Sequence, residues 1–224
     1  MVVTCWSVKG GSGTTVVATV LAAMLGRRDE GPTMLLDLDG DAPAVLGVPE
    51  PDGPGIADWL AAADAVGVAA VERLRRPVAE GIELVWRGRR PLAGLERARL
   101  LAQGLGSGDG PVVVDAGRLA PPTSAEGSDA VRRAFVETAD RSLLVTRPCF
   151  LALRRALAIG CRPDGVVLVE EGGRALGRVD VEDVLGVPVV ATVPVDAAIA
   201  RSVDAGLLAA RVPAAISRPL ASVA

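Results

Sequence analysis

The sequence predicts a three-layer α/β fold, a doubly wound and mostly parallel sheet with helices on both faces. Three observations predict it. Short apolar runs without polar alternation recur along the chain, stretches of helical spacing separate them, and the apolar half of the composition is aliphatic, with two Phe, three Trp and no Tyr. Consecutive apolar positions mark strands covered on both faces, as in parallel sheets. Strand and helix in alternation build βαβ units. At 224 residues the chain is long enough to bury such a core, and residues 1–224 are expected to form one domain.

The elements follow in order. Residues 2–6 (Val-Val-Thr-Cys-Trp) make the first strand, the glycines at 10, 11 and 13 break it, and Thr14-Thr15 opens a helix over 14–27. Strand 34–37 ends on an aspartate; a helix over 66–75, a strand over 82–86 and a helix over 92–105 come next. The glycine-rich stretch 105–111 reads as a loop feeding strand 112–115, and 120–127, rich in Pro, Ser and Thr, as a more mobile loop. Helices over 128–140, 150–159 and 197–210 alternate with strands over 143–146, 166–169 and 189–193. Beyond Val212, Pro213 and Pro219 argue against a long amphipathic membrane helix.

Composition narrows the chemistry. There is no histidine, so imidazole bases and nearly all zinc sites drop out. A net charge of −3 gives no global attraction to nucleic acid or anionic lipid. Cys5, Cys149 and Cys161 are odd in number and lie in apolar surroundings, which suggests buried free thiols in a reducing compartment. Met1 leads straight into the first strand and no apolar run has the length of a membrane span, so a cytoplasmic protein without stable membrane insertion is expected. Lys9 is the only lysine among 24 basic residues.

Lys9 lies in Ser7-Val8-Lys9-Gly10-Gly11-Ser12-Gly13-Thr14-Thr15, directly after the first strand. In a parallel α/β sheet the carboxyl ends of the strands open onto one crevice. Glycines at the first strand end let backbone N–H groups face an anion, and the following helix adds the positive end of its dipole. Thr15 is placed to offer a hydroxyl to Mg²⁺, and Asp115, after three valines, suits the acid that orients the metal. Plainer readings stand beside these: a packing turn for the glycines, a cap for Asp115, a solvated turn for Asp37-Leu38-Asp39. Convergence of all three on one crevice favours the ligand reading.

Lys9-Gly10-Gly11-Ser12-Gly13-Thr14-Thr15 resembles the deviant Walker A loop, KGGxGK[ST], of the ParA/MinD family of dimerising P-loop ATPases. Lys9 matches the family's signature lysine; Thr14 stands where the usual phosphate-loop lysine would be. The likeness runs over nearly the whole chain. Leu35-Leu36-Asp37-Leu38-Asp39 with Leu46-Gly47 resembles the second motif, Val112-Val113-Val114-Asp115 the Walker B strand, and Leu144-Val145-Thr146-Arg147-Pro148 the segment after it. Leu185 to Asp196, ending Val193-Pro194-Val195-Asp196, is similar to the family's C-terminal stretch whose loop lies against adenine. The resemblance implies ATP and Mg²⁺: the nucleotide on Gly10, Gly11, Ser12, Gly13, Thr14, Thr15, Pro194 and Asp196, the metal through Thr15 with Asp37 and Asp115, the attacking water oriented by Asp39. Lys9 would act across a homodimer formed on nucleotide binding.

Two departures bear on activity. Losing a charged phosphate contact at position 14 forfeits on the order of 1.5–3 kcal/mol, roughly ten- to hundredfold in binding, and more where charge develops in a transition state. Where the family has an adenine-reading Asn, this chain has Glu170-Glu171; a carboxylate accepts from the adenine amino group but cannot donate to N7. Arg118, Arg147, Arg154 and Arg155 are other candidate sources of positive charge. The expected function is therefore an ATP-binding dimerisation switch that positions or recruits a protein partner, with slow or absent hydrolysis. The alternatives are a pseudo-ATPase scaffold resembling the family's pilus-localising members, and a DNA-associated partition ATPase using arginines at 73–76 and 87–90.

Overall fold

The computed structural model describes residues 1–28, 31–63, 66–108, 110–121 and 127–224. Its centre is an eight-stranded sheet ordered β3-β4-β2-β5-β1-β6-β7-β8. The strands are β1 (Val2–Ser7), β2 (Thr33–Asp37), β3 (Arg76–Ala79), β4 (Ile82–Val85), β5 (Val112–Arg118), β6 (Arg141–Thr146), β7 (Gly165–Glu170) and β8 (Val189–Pro194). Neighbours run parallel except β3, which pairs antiparallel with β4 at the edge. β1, β2 and β5 are buried almost throughout, as their unbroken apolar runs demand.

The helices are α1 (Thr14–Arg28), α2 (Ala42–Leu46), α3 (Ile56–Leu60), α4 (Leu95–Gly104), α5 (Ser128–Thr138), α6 (Phe150–Ala158), α7 (Arg178–Leu185), α8 (Ala197–Asp204) and α9 (Ala214–Leu220). One face of the sheet carries an apolar cluster with α1, α2, α8 and α9; the other carries α3 to α7 in two further clusters. The expected three-layer architecture is thus present. α1 is apolar nearly all round and accordingly sunk in the core. Arg27 and Arg28 close its last turn, where the helix dipole favours cations. Arg27 reaches the carbonyl of Ala209 and Arg28 that of Ala224, fastening the C-terminal segment to α1.

Some expectations change. The helix read over 66–75 is a 3-10 segment, Val68–Leu74, followed by the edge strand β3, which has no apolar run because its residues are exposed or half-buried. The helix read over 197–210 stops at Asp204, where the chain turns at Gly206 with φ +65°. α2, α3, α7 and α9 were not expected. Most of the loop read over 120–127 lies outside the described residues, as does Asp109 in the loop over 105–111. All three cysteines are free, but only Cys5 is buried; Cys149 and Cys161 are half-buried. Among the described residues, no helix is long and apolar enough to cross a membrane.

Candidate functional site

The sheet's topology creates the crevice. β1 sits between β5 and β6, so the chain leaves it toward β2 on one side and later crosses to β6 on the other. Such a switch point opens a cleft at the carboxyl strand ends, and the loop after β1 lies in it. Gly11 and Gly13 have φ of +73° and +88°, the left-handed region that favours glycine. Ser12 is tied back by its hydroxyl, which donates to the Lys9 carbonyl at 2.7 Å. Thr14 and Thr15 begin α1, both buried, at the positive end of a 15-residue helix. The loop, with Ser7, Asp39, Asp41, Gly117 and Arg118, encloses a cleft of about 220 Å³.

Lys9 is exposed, and its side chain makes no hydrogen bond or ion pair among the described residues. Among the described residues, nothing in its own chain holds it over the cleft.

Asp37 and Asp115 are cross-strand partners in the β2–β5 ladder, each fully buried. Asp37 accepts from the N–H groups of Asp39 at 2.9 Å, Gly40 at 2.7 Å and Ala42 at 3.3 Å, so its carboxylate shapes the turn into α2. Asp115 accepts from Gly117 N at 3.0 Å through Oδ1, whereas Oδ2 is buried without a partner among the described residues. Burial, and then the charge of Asp37, push Asp115 up to about 8, partly offset by the Thr15 hydroxyl beside it. Burial likewise raises Asp37 to about 6, against the pull of its backbone donors. A buried acid pair with one orphaned oxygen lacks a positive charge. A divalent cation beside Thr15 and Asp115 fits that deficit. Mg²⁺ is a cation that takes few protein ligands and keeps waters and phosphate oxygens.

Asp39 is fixed from several sides. Its Oδ1 pairs with Arg132 Nη2 at 3.1 Å, its carbonyl accepts from Arg87 Nη1 at 3.1 Å, and Arg132 also donates to the carbonyls of Leu38 and Arg118. Its carboxylate packs on Gly117, where a Cβ would lie 2.2 Å from Asp39 Cγ. The sequence reading missed Arg132 and placed Arg87 only in a candidate DNA-binding cluster; 93 residues separate Arg132 from Asp39, and neither arginine lies in a nucleotide-site motif.

A second cleft, of about 560 Å³, lies between the β7–α7 connection and Pro194-Val195. Glu170 and Pro194 are paired at the ends of β7 and β8 and both line it. Gly13 comes close to Val169, the residue before Glu170, so the glycine loop adjoins this end of β7. Asp196 does something else: its Oδ1 accepts from Ala198 N at 2.6 Å and caps α8. Glu171 is held below the usual carboxylate range by its hydrogen bond to Arg174, by that residue's charge and by Arg147. Of the candidate arginines, only Arg118 lines the 220 Å³ cleft. In the two arginine clusters, Arg75 pairs with Glu72 at 2.9 Å and Glu83 at 3.4 Å, Arg90 with Asp58 at 3.1 Å, and Arg76 bonds neighbouring carbonyls.

No protein-family model matches the sequence, and no curated protein does. Solved structures do match. A ParA family ATPase from Chlorobium tepidum superimposes with a TM-score of 0.75 at 20% identity, covering 98% of this chain and 96% of that one. The cell division protein MinD of Aquifex aeolicus gives 0.74 at 17%, covering 99% and 94%. The septum site-determining protein MinD of Pyrococcus horikoshii, solved with Mg-ADP, gives 0.70 at 17%, covering 99% and 93%. The chain therefore has the ParA/MinD P-loop NTPase fold over nearly its whole length.

Proposed function

We propose that residues 1–224 form one ParA/MinD-like nucleotide-binding domain, in which two copies close around ATP and Mg²⁺ to position or recruit a protein partner. The observation that carries the reading is the buried Asp115 oxygen beside Thr15, without a hydrogen-bond partner among the described residues, set against a glycine loop at the switch point of this fold. Backbone N–H groups from Gly10 to Thr15 cradle the phosphates. Thr15 holds the metal with Asp115 and Asp37 behind it; when bound, Mg²⁺ neutralises phosphate charge and the acid pair together. Asp39, held by Arg132, orients a water, and exposed Lys9 reaches the partner copy's nucleotide. The neighbours support nucleotide binding, since the Pyrococcus protein was solved with Mg-ADP and a Cyanothece McdA variant with ATP. An Aquifex MinD was solved with its partner MinC.

With Thr14 in the lysine position, hydrolysis is slow. Thr14 and the exposed Glu170 on the base side also favour the second reading, a scaffold that binds without turnover. DNA association is weaker, because Arg75, Arg87 and Arg90 are engaged within the chain. Light scattering with and without ATP and Mg²⁺, beside a phosphate-release assay, tests this. Mass doubling with ATP and slow phosphate release support the switch, and doubling without release supports the scaffold. Neither ATP binding nor a change in mass would reject both.

A further inference from the structure

We propose that Arg118 supplies, from within the same protomer, the positive charge that Thr14 withholds from the β- and γ-phosphates of a bound nucleoside triphosphate. The inference rests on the nucleotide-binding reading above. It begins with a bulge in β5. Asp115 pairs with Cys5, but Gly117 pairs with Trp6 and Arg118 with Ser7, so Ala116 is an extra residue in the ladder. An uninterrupted strand would put residue 118 on the face opposite Asp115. The bulge and the left-handed Gly117, φ +61°, reverse that phase and bring Arg118 level with Ser7, where the phosphate loop begins.

Four further observations fit this role. Arg118 is the one cationic residue lining the 220 Å³ cleft among the described residues, while Lys9 is not part of the lining. The Arg118 side chain is exposed and makes no hydrogen bond or ion pair among the described residues, so its guanidinium is available. Its backbone is fixed, because Arg132 Nη1 donates to the Arg118 carbonyl at 3.1 Å and Leu119 N donates to Ser7 O at 2.8 Å. The Asp39 carboxylate in the same cleft is already countered by Arg132, which leaves Arg118 to face an anion. A guanidinium suits adjacent phosphate oxygens through its forked donors.

The test is calorimetric titration of the full chain with ATP·Mg²⁺ and with AMP, for the parent, Arg118→Ala, Thr14→Lys and the double variant. Arg118→Ala should keep the parent's thermal transition, since the side chain makes no hydrogen bond or ion pair among the described residues. ATP affinity should fall about ten- to hundredfold while AMP, lacking the outer phosphates, stays within about twofold. Thr14→Lys should restore ATP binding in the Arg118→Ala background and gain far less in the parent. If the parent binds ATP and Arg118→Ala binds it within about twofold, or loses AMP equally, the inference fails and the nucleotide-binding reading stands. If the parent binds no ATP, both fail.

Discussion

Replacing Asp115 by Asn should stabilise the nucleotide-free protein at slightly alkaline pH while removing the metal-dependent nucleotide binding proposed for it. In the unfolded chain this carboxyl ionises near its ordinary value of 3.8, whereas in the folded state it keeps its proton up to about 8. Between those values the folded state binds the extra proton, so stability falls as pH rises across the window. Each pH unit is worth about 1.36 kcal/mol, which sets a ceiling on the order of 6 kcal/mol for Asp115 alone. Sharing the proton with Asp37 lowers the realised difference to about 2–3 kcal/mol, still roughly 1 M in urea midpoint for a chain of this size. Urea unfolding of both proteins in EDTA, from about pH 4.5 to 8.5, measures it. The parent should lose stability relative to Asp115→Asn steadily across the range. Parallel profiles would refute the claim that this buried acid pair lacks a counter-charge.

Other outcomes follow from neighbouring contacts. Gly117→Ala forces a side chain into a left-handed position and onto the Asp39 carboxylate at 2.2 Å. It should cost at least about 2 kcal/mol, lowering the thermal midpoint by about 4–8 °C. Arg132→Ala releases an ion pair and three hydrogen bonds to the Leu38 and Arg118 carbonyls. Unfolding should become easier by about 2–4 kcal/mol, with Lys a poor rescue because one ammonium cannot bridge those acceptors. Lys9→Ala should leave the thermal midpoint unchanged and abolish ATP-dependent mass doubling in light scattering; a Lys9→Ala protein that still doubles removes Lys9 from the interface.

How much was legible in the sequence depended on how local the signal was. β1, β2 and β5 announced themselves because two-sided burial demands unbroken apolar runs, and the glycine loop and three aspartates lie at or just beyond those strands. β3, Arg76-Pro77-Val78-Ala79, was illegible because an edge strand with a proline buries little. α2 and α3 span five residues each, too few for a periodicity, and α7 buries only Val181. α9 was masked by prolines that the helix tolerates, Pro213 before its first turn and Pro219 in its last. At the site, the residue types were readable but the couplings were not. Asp196 and Asp37 were readable as polar residues at strand ends, but their backbone hydrogen bonds, which cap α8 and shape the turn into α2, were not. Arg132 and the β5 bulge exist only through contacts between distant segments.

Lys9 has one more property, which follows from its exposure and from the chain's single lysine. Within residues 1–224 it is the only side-chain primary amine. A short amine-reactive crosslinker can therefore join two copies through their lysines only at residue 9 on both. The covalent product would report the distance between the two phosphate loops, with no engineered label, at each stage of a nucleotide cycle.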